Sequence, residues 1–186
     1  MPKSKSKNKK AKAKKPAKKA PIPPGFRSVT PYLTVNGASA AIDWYKKALG
    51  AKELRRDAAP GGMIMNAQIR IGDSIIMLSD NFPRPGASEP ALSGNSPVTI
   101  HLYSNNVDKL WQQAVDAGAK VTMPIDNMFW GERYGQFSDP YGHKWSISMQ
   151  ISMSKAEMAE KQKQAMAQFA QGEHPDQTEE PQVAQN

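Results

Sequence analysis

The sequence predicts an α+β domain made of two βαβββ modules whose sheets curve together around a shared cleft. Three observations carry this expectation. Leu33–Lys52 (LTVNGASAAIDWYKKALGAK) and Leu102–Lys120 (LYSNNVDKLWQQAVDAGAK) repeat one unit: a short strand, an Asn-containing turn, an amphipathic helix and a Gly-Ala-Lys exit. The strand before each helix alternates polar and apolar residues with period two, the mark of a sheet with one buried face. Each helical stripe stops at a glycine, Gly50 or Gly118, a residue suited to the left-handed conformation that ends helices.

Module 1 is expected over residues 27–80 and module 2 over residues 97–151, within a domain spanning residues 25–151. In Val29–Val35, Thr30, Tyr32 and Thr34 share one face, while Val29, Pro31, Leu33 and Val35 share the other. Pro31 cannot donate to a ladder, so this strand belongs at an edge or a bulge. The helix that follows places Ala38, Ala41, Ile42, Tyr45, Ala48 and Leu49 on one stripe. Strands at Met63–Ile71 and Ser74–Ser79 turn at Gly72-Asp73. Residues 81–96, rich in Pro, Gly and Ser, form a linker. In Val98–Tyr103, Thr99, His101 and Tyr103 oppose Val98, Ile100 and Leu102. The second helix buries Val107, Leu110, Trp111, Ala114 and Ala117. A short strand at Lys120–Met123 precedes a hairpin of Phe129–Phe137 and Lys144–Gln150, closed by a turn at Asp139-Pro140-Tyr141-Gly142. A C-terminal helix over residues 152–171 opens with Ser154 and Glu157 at capping-box spacing, and residues 172–186 are expected to be disordered.

The formal charge of +8 describes a tail rather than the domain. Residues 1–20 hold ten Lys and no acid, leaving 15 basic and 17 acidic groups in the rest of the chain. Residues 1–24 read as a disordered Lys-rich extension with too little apolar surface to fold. It would either touch nucleic acid or anionic surfaces non-specifically through residues 1–20, or serve as a solubilising segment. Without an apolar run it is not a secretory signal, and nothing in the chain has the length of a membrane span. Zero cysteines exclude disulfides, zinc knuckles and thiol catalysis, and make a cytoplasmic location the default expectation. No Gly-rich phosphate loop and no GxSxG nucleophile turn is present.

The segments PYLTVNGASAAIDWYKKALGAKE, AQIRIGDSIIMLSD and MFWGERYGQFSDPYGHKW resemble the vicinal oxygen chelate superfamily, which includes glyoxalase I, bleomycin-resistance proteins and extradiol dioxygenases. The resemblance spans about Gly25 to Met158 and is nearest to the PhnB-like branch. It implies the glyoxalase/bleomycin-resistance fold and, by family habit, a homodimer, with the C-terminal helix a plausible interface element. Metal-dependent members hold one divalent ion with His, Glu or Gln from the first and last strand of each module. Those positions fall here on Thr30, Met77, Thr99 and Ser146. Hydroxyls and a thioether are poor ligands for such an ion, so no metal and no other cofactor is expected. Asn66 also stands where relatives commonly carry His. The alternative is one divalent metal ion at a relocated site, for which His101, Glu132 and His143 are the available side chains; His174 lies in the tail. Nothing resembles a cofactor site for methyl transfer.

Without the metal, the cleft is expected to bind a small molecule through Tyr32, Thr34, Ile75, Met77, Thr99, His101, Tyr103, Ser146 and Ser148, with Phe129, Trp130 and Arg133 at the rim. Trp130 would stack on a planar or cationic ligand, and Arg133 would grip an anion or form a salt bridge to Asp139 or Glu132. The leading expectation is a protein that sequesters its ligand without turnover. The competing one is an isomerase, lyase or dioxygenase using His101 as general base or a relocated metal.

Overall fold

The computed structural model describes residues 20–82 and 96–171. The expectations for the Lys-rich tail, most of the linker and residues 172–186 lie outside the described residues. Module 1 consists of β1 (Tyr32–Val35), α1 (Ala38–Leu49), β2 (Lys52–Ala58), β3 (Ile64–Ile71) and β4 (Ser74–Asp80). Module 2 repeats it with β5 (Thr99–Tyr103), α2 (Val107–Asp116), β6 (Lys120–Met128), β7 (Glu132–Ser138) and β8 (Lys144–Gln150). A third helix, α3 (Lys155–Ala170), follows. No described helix is long and apolar enough to cross a membrane.

The duplication seen in the sequence extends to topology. The two four-stranded sheets have orders β1-β4-β3-β2 and β5-β8-β7-β6. In each, the first strand runs parallel to the last and the other pairs are antiparallel. β1 is an edge strand, as Pro31 requires; the proline lies just before it and its carbonyl accepts from the Met77 N–H at 3.0 Å.

Several elements differ from expectation. β1 begins at Tyr32 and β5 at Thr99, so Val29 and Val98, expected on the apolar faces, are 85% and 64% exposed. β2 carries no hydrophobic alternation, and its KELRRDA side chains are mostly exposed. Backbone pairing with β3 and ion pairs of Arg55 with Asp57 and Arg56 with Glu53 accompany it instead. β6 runs past Met123 to Met128 because register shifts around Met123 let the ladder continue beyond Pro124. β7 begins at Glu132, since Phe129–Gly131 form the turn that leads into it.

The helix stripes pack as their sequence dictates. All six expected residues of α1 are buried. In α2, Val107 and Ala114 are buried, while Leu110, Trp111 and Ala117 are half-buried against the same core. Gly37 at the start of α1 offers no side-chain cap. The Asp80 carboxylate supplies it from β4, accepting from the Gly37, Ala38 and Ile64 N–H groups at 2.9, 2.7 and 2.6 Å. α2 is capped by its own Asn106, which accepts from the Lys109 N–H at 3.2 Å.

The modules join helix to helix. The Trp44 indole donates to the Ala117 carbonyl at 2.8 Å, and the Tyr45 hydroxyl donates to the buried Asp139 carboxylate at 2.7 Å. Asp139 also accepts from Trp145 Nε1 and from the Tyr141 and His143 N–H groups, each at 2.9 Å. Burial, reinforced by the Asp139 charge, pushes the Tyr45 phenol far above its ordinary pKa, so it remains a donor. Both sheets send their apolar faces into one core that contains Leu33, Ile69, Leu78, Phe137, Trp145 and Ile147. The opposite face of each sheet is therefore turned away from that core.

Three substitutions test this packing. Tyr45→Phe removes one donor from a buried carboxylate and should cost about 1.5–3 kcal/mol. Asp139→Ala strands several donors at once and should cost more; urea denaturation ranks the two. Gly135→Ala would place a Cβ 2.6 Å from Trp111 Cζ3 and 3.0 Å from Ile125 Cα. That overpacking should cost about 1–3 kcal/mol, read as a lowered melting temperature.

Candidate functional site

β8 alternates along its length: Trp145 and Ile147 enter the core, and Ser146 and Ser148 face the other way. Both serines are nevertheless buried, at 2% and 0% exposure. His101 of the neighbouring strand β5 accounts for their hydroxyls. Its register partner is Ser146, and its ring bridges two residues of β8. Nδ1 lies 2.7 Å from Ser146 Oγ and Nε2 lies 3.1 Å from Ser148 Oγ. In a neutral imidazole one nitrogen donates and the other accepts, which hydroxyls can satisfy on both sides.

Aromatic rings surround this bridge. His101 meets Tyr103 edge-on at 4.5 Å and stacks on Tyr134 at 5.9 Å. Tyr134 meets Trp130 at 5.5 Å, and Trp130 meets Phe129 at 5.0 Å. Glu132 closes the group, accepting from the Tyr103 hydroxyl at 3.1 Å and from the Trp130 indole at 3.2 Å. The Tyr103 phenol is raised by its hydrogen bond to Glu132 and by that residue's charge, which keeps it protonated as a donor. Gln136 orients Tyr134, donating to its hydroxyl at 2.7 Å. Tyr103 is 63% exposed and Trp130 43% exposed, so this is a surface rather than a core cluster. An open depression of about 460 Å³ beside it is lined by Tyr103, Ser104, Asn105, Met149 and Gln150.

The other expected site residues lie elsewhere. Tyr32 and Thr34 sit on the open face of β1, where Tyr32 pairs in register with Met77. Thr99 lies two pairs before His101 on β5, opposite Lys144. A cavity of about 160 Å³ is lined by Thr30 and Ile75 of module 1 and by His101 of module 2, at the starts of β1 and β5. Arg133 departs from expectation. Strand alternation puts it on the helix-facing side of β7, where it bonds Asp108 at 2.7 Å and Asn127 at 3.2 Å. It therefore stands neither at the cleft rim nor paired with Asp139 or Glu132. Tyr134 and Gln136 were not singled out from the sequence. The alternation Glu132, Tyr134, Gln136 along β7 was the signal that would have found them.

These features define a class of protein: two βαβββ modules with a polar, aromatic face on the sheet opposite the helices. A family profile described as Glyoxalase/Bleomycin resistance protein/Dioxygenase superfamily matches residues 27–147, and the chain belongs to that superfamily. It is 39% identical over 127 residues to an uncharacterized protein of Mycobacterium tuberculosis, covering 67% of this chain and 75% of that one. Among solved structures it is similar to TioX from Micromonospora sp. ML1, with TM-score 0.53 and 25% identity over 64% of this chain and 95% of that one. It also shares the fold of the PhnB protein from Bacillus cereus, with TM-score 0.53 and 13% identity over 68% of this chain and all (100%) of that one.

The residues at the family's metal positions do not fit a divalent ion. The Thr30 hydroxyl donates to the Arg27 carbonyl at 3.1 Å, and the Ser146 hydroxyl is engaged with His101. Met77 offers only a soft thioether. Among the described residues no three His, Cys, Asp or Glu side chains gather to hold an ion, so His101, Glu132 and His143 do not form the relocated cluster. His143 Nε2 is buried without a partner among the described residues, and its N–H belongs to the Asp139 turn.

Removing the imidazole tests the bridge. His101→Ala leaves two buried hydroxyls without their partner and should destabilise the domain by about 1–3 kcal/mol. A double-mutant cycle with Ser146→Ala should show coupling above about 0.5 kcal/mol, because the two side chains share one hydrogen bond.

Proposed function

We propose that the protein binds and sequesters a small molecule on the open face of β5, β8 and β7, without a metal ion and without turnover. The observation that carries this reading is the uncovered, preorganised group of Tyr103, His101, Tyr134 and Trp130, each ring held by a hydrogen bond to a neighbouring side chain. Fixed aromatic rings with a few directional polar groups are the usual lining of a ligand site. Side chains already locked in place lose little entropy on binding.

A homodimer would supply the missing wall. The cavity between the modules of one chain, about 160 Å³, is smaller than the roughly 300–1,000 Å³ of typical ligand pockets. The open face of module 2 is by itself a single surface. A second copy laid against it would bring Tyr32, Thr34 and Met77 opposite His101 and Trp130, making one cleft from two chains. Catalysis through His101 is the second reading, favoured by its paired serine contacts. A substrate would then have to displace one serine bond before the imidazole took its proton.

Light scattering and a thermal-shift screen of small molecules test the proposal together. The expected result is a dimer with saturable ligand binding, weakened about tenfold or more by Trp130→Ala or Tyr103→Ala, and no product on prolonged incubation. A strictly monomeric protein with no ligand-dependent shift would overturn it. Turnover abolished by His101→Ala in a folded variant would replace it with the enzymatic reading.

A further inference from the structure

We infer that the ligand taken by this face is an organic cation, a small molecule bearing a quaternary or protonated amine. The inference rests on the binding reading above and specifies its chemistry. Tyr103, His101, Tyr134, Trp130 and Glu132 form a closed circuit of contacts, with the buried hydroxyl of Ser148 in the same cross-strand row as Tyr103 and Tyr134. Each aromatic ring presents an electron-rich face, and a cation within about 6 Å of such faces is attracted by their quadrupoles. Glu132 adds a negative charge to the same patch of surface.

The charge balance of the patch decides between ligand classes. Glu132 accepts from two neutral donors, a phenol and an indole, and forms no ion pair among the described residues. The adjacent cation, Arg133, is committed to Asp108 on the other face of the sheet, at 2.6 Å from Nη2. The carboxylate is thus held in place by donors that leave its charge uncompensated. An anionic ligand would meet a carboxylate and the negative faces of three rings. A neutral one would gain stacking but leave the charge unanswered. A cation satisfies both the rings and Glu132.

The test uses the full chain and three probes sharing one benzyl ring: benzyltrimethylammonium, benzyl alcohol and phenylacetate. Binding is followed by calorimetry and by the indole resonance of Trp130, assigned through its loss in Trp130→Phe. The ammonium should saturate, shift that resonance and bind about tenfold more tightly than benzyl alcohol. Glu132→Gln should erase most of that margin. Added salt should weaken the ammonium alone in the unmodified protein, an arm that holds even if the variant fails to fold.

If benzyl alcohol or phenylacetate shifts Trp130 as strongly as the ammonium does, the cation assignment is overturned and the small-molecule reading stands. The same assignment falls if no probe shifts Trp130. The binding proposal is then judged separately, by its own ligand screen.

Discussion

The buried carboxylate of Asp139 is the tie on which the arrangement of the two modules depends. A charge removed from water costs several kcal/mol unless hydrogen bonds replace the lost hydration. Asp139 receives four donors: the Tyr45 hydroxyl, the Trp145 indole and the N–H groups of Tyr141 and His143. Tyr45 comes from α1 of module 1 and the other three from the turn and last strand of module 2. Leaving any one donor unmatched in a buried site is more costly than the net gain from a typical hydrogen bond, so the four hold one another in register. The rings that carry these donors also pack together: Tyr45 lies 5.7 Å from Trp145 and 6.2 Å from Tyr141.

This tie determines which faces are available for function. α1 is held near its C-terminal end by Tyr45 and Asp139, and at its N-terminus by the Asp80 carboxylate. With the helix fixed at two points, the apolar side of each sheet is committed to the shared core. The side chains left outside then need a different source of order. His101 obtains it from Ser146 and Ser148, Tyr134 from Gln136, and Tyr103 and Trp130 from Glu132. The open face of module 2 is consequently ordered without being packed, which is the condition a binding surface has to meet.

Much of the fold was legible because it rests on periodicity. The apolar stripe of α1 and the alternation of β1, β5 and β8 announce their buried sides, and the repeated unit announces the repeated topology. β2 was not legible in that way: with few buried side chains, it is identified by its backbone partner, which a local pattern does not contain. Asp139 was read as a turn residue, and its N–H contacts within the turn agree with that. Its bond to Tyr45 spans 94 residues, and nothing near either position advertises it. Arg133 was read as a rim residue, but alternation from the core residue Phe137 puts it on the helix-facing side of β7, against Asp108. The His101 cluster was half-visible: its strand and face were readable, and Ser146 and Ser148 were expected beside it in the cleft, but nothing in the sequence showed that the imidazole would bridge the two hydroxyls.

That last residue pair shows how the same position can serve two chemistries. Ser146 falls where the family resemblance would put an ion ligand, and here its hydroxyl lies 2.7 Å from Nδ1 of His101. An ion at that place would need Ser146 to give up the ring and His101 to offer a lone pair, yet both imidazole nitrogens are already matched to hydroxyls. Replacing Ser146 alone by Glu would not restore a metal site, since Thr30, Met77 and Thr99 still lack suitable donors. It would instead set a buried carboxylate against a ring packed between Tyr103 and Tyr134. The hydrogen bonds of His101 to Ser146 and Ser148 thus commit these side chains to one another, and the neighbouring rings of Tyr103 and Trp130 are the part of this face left exposed.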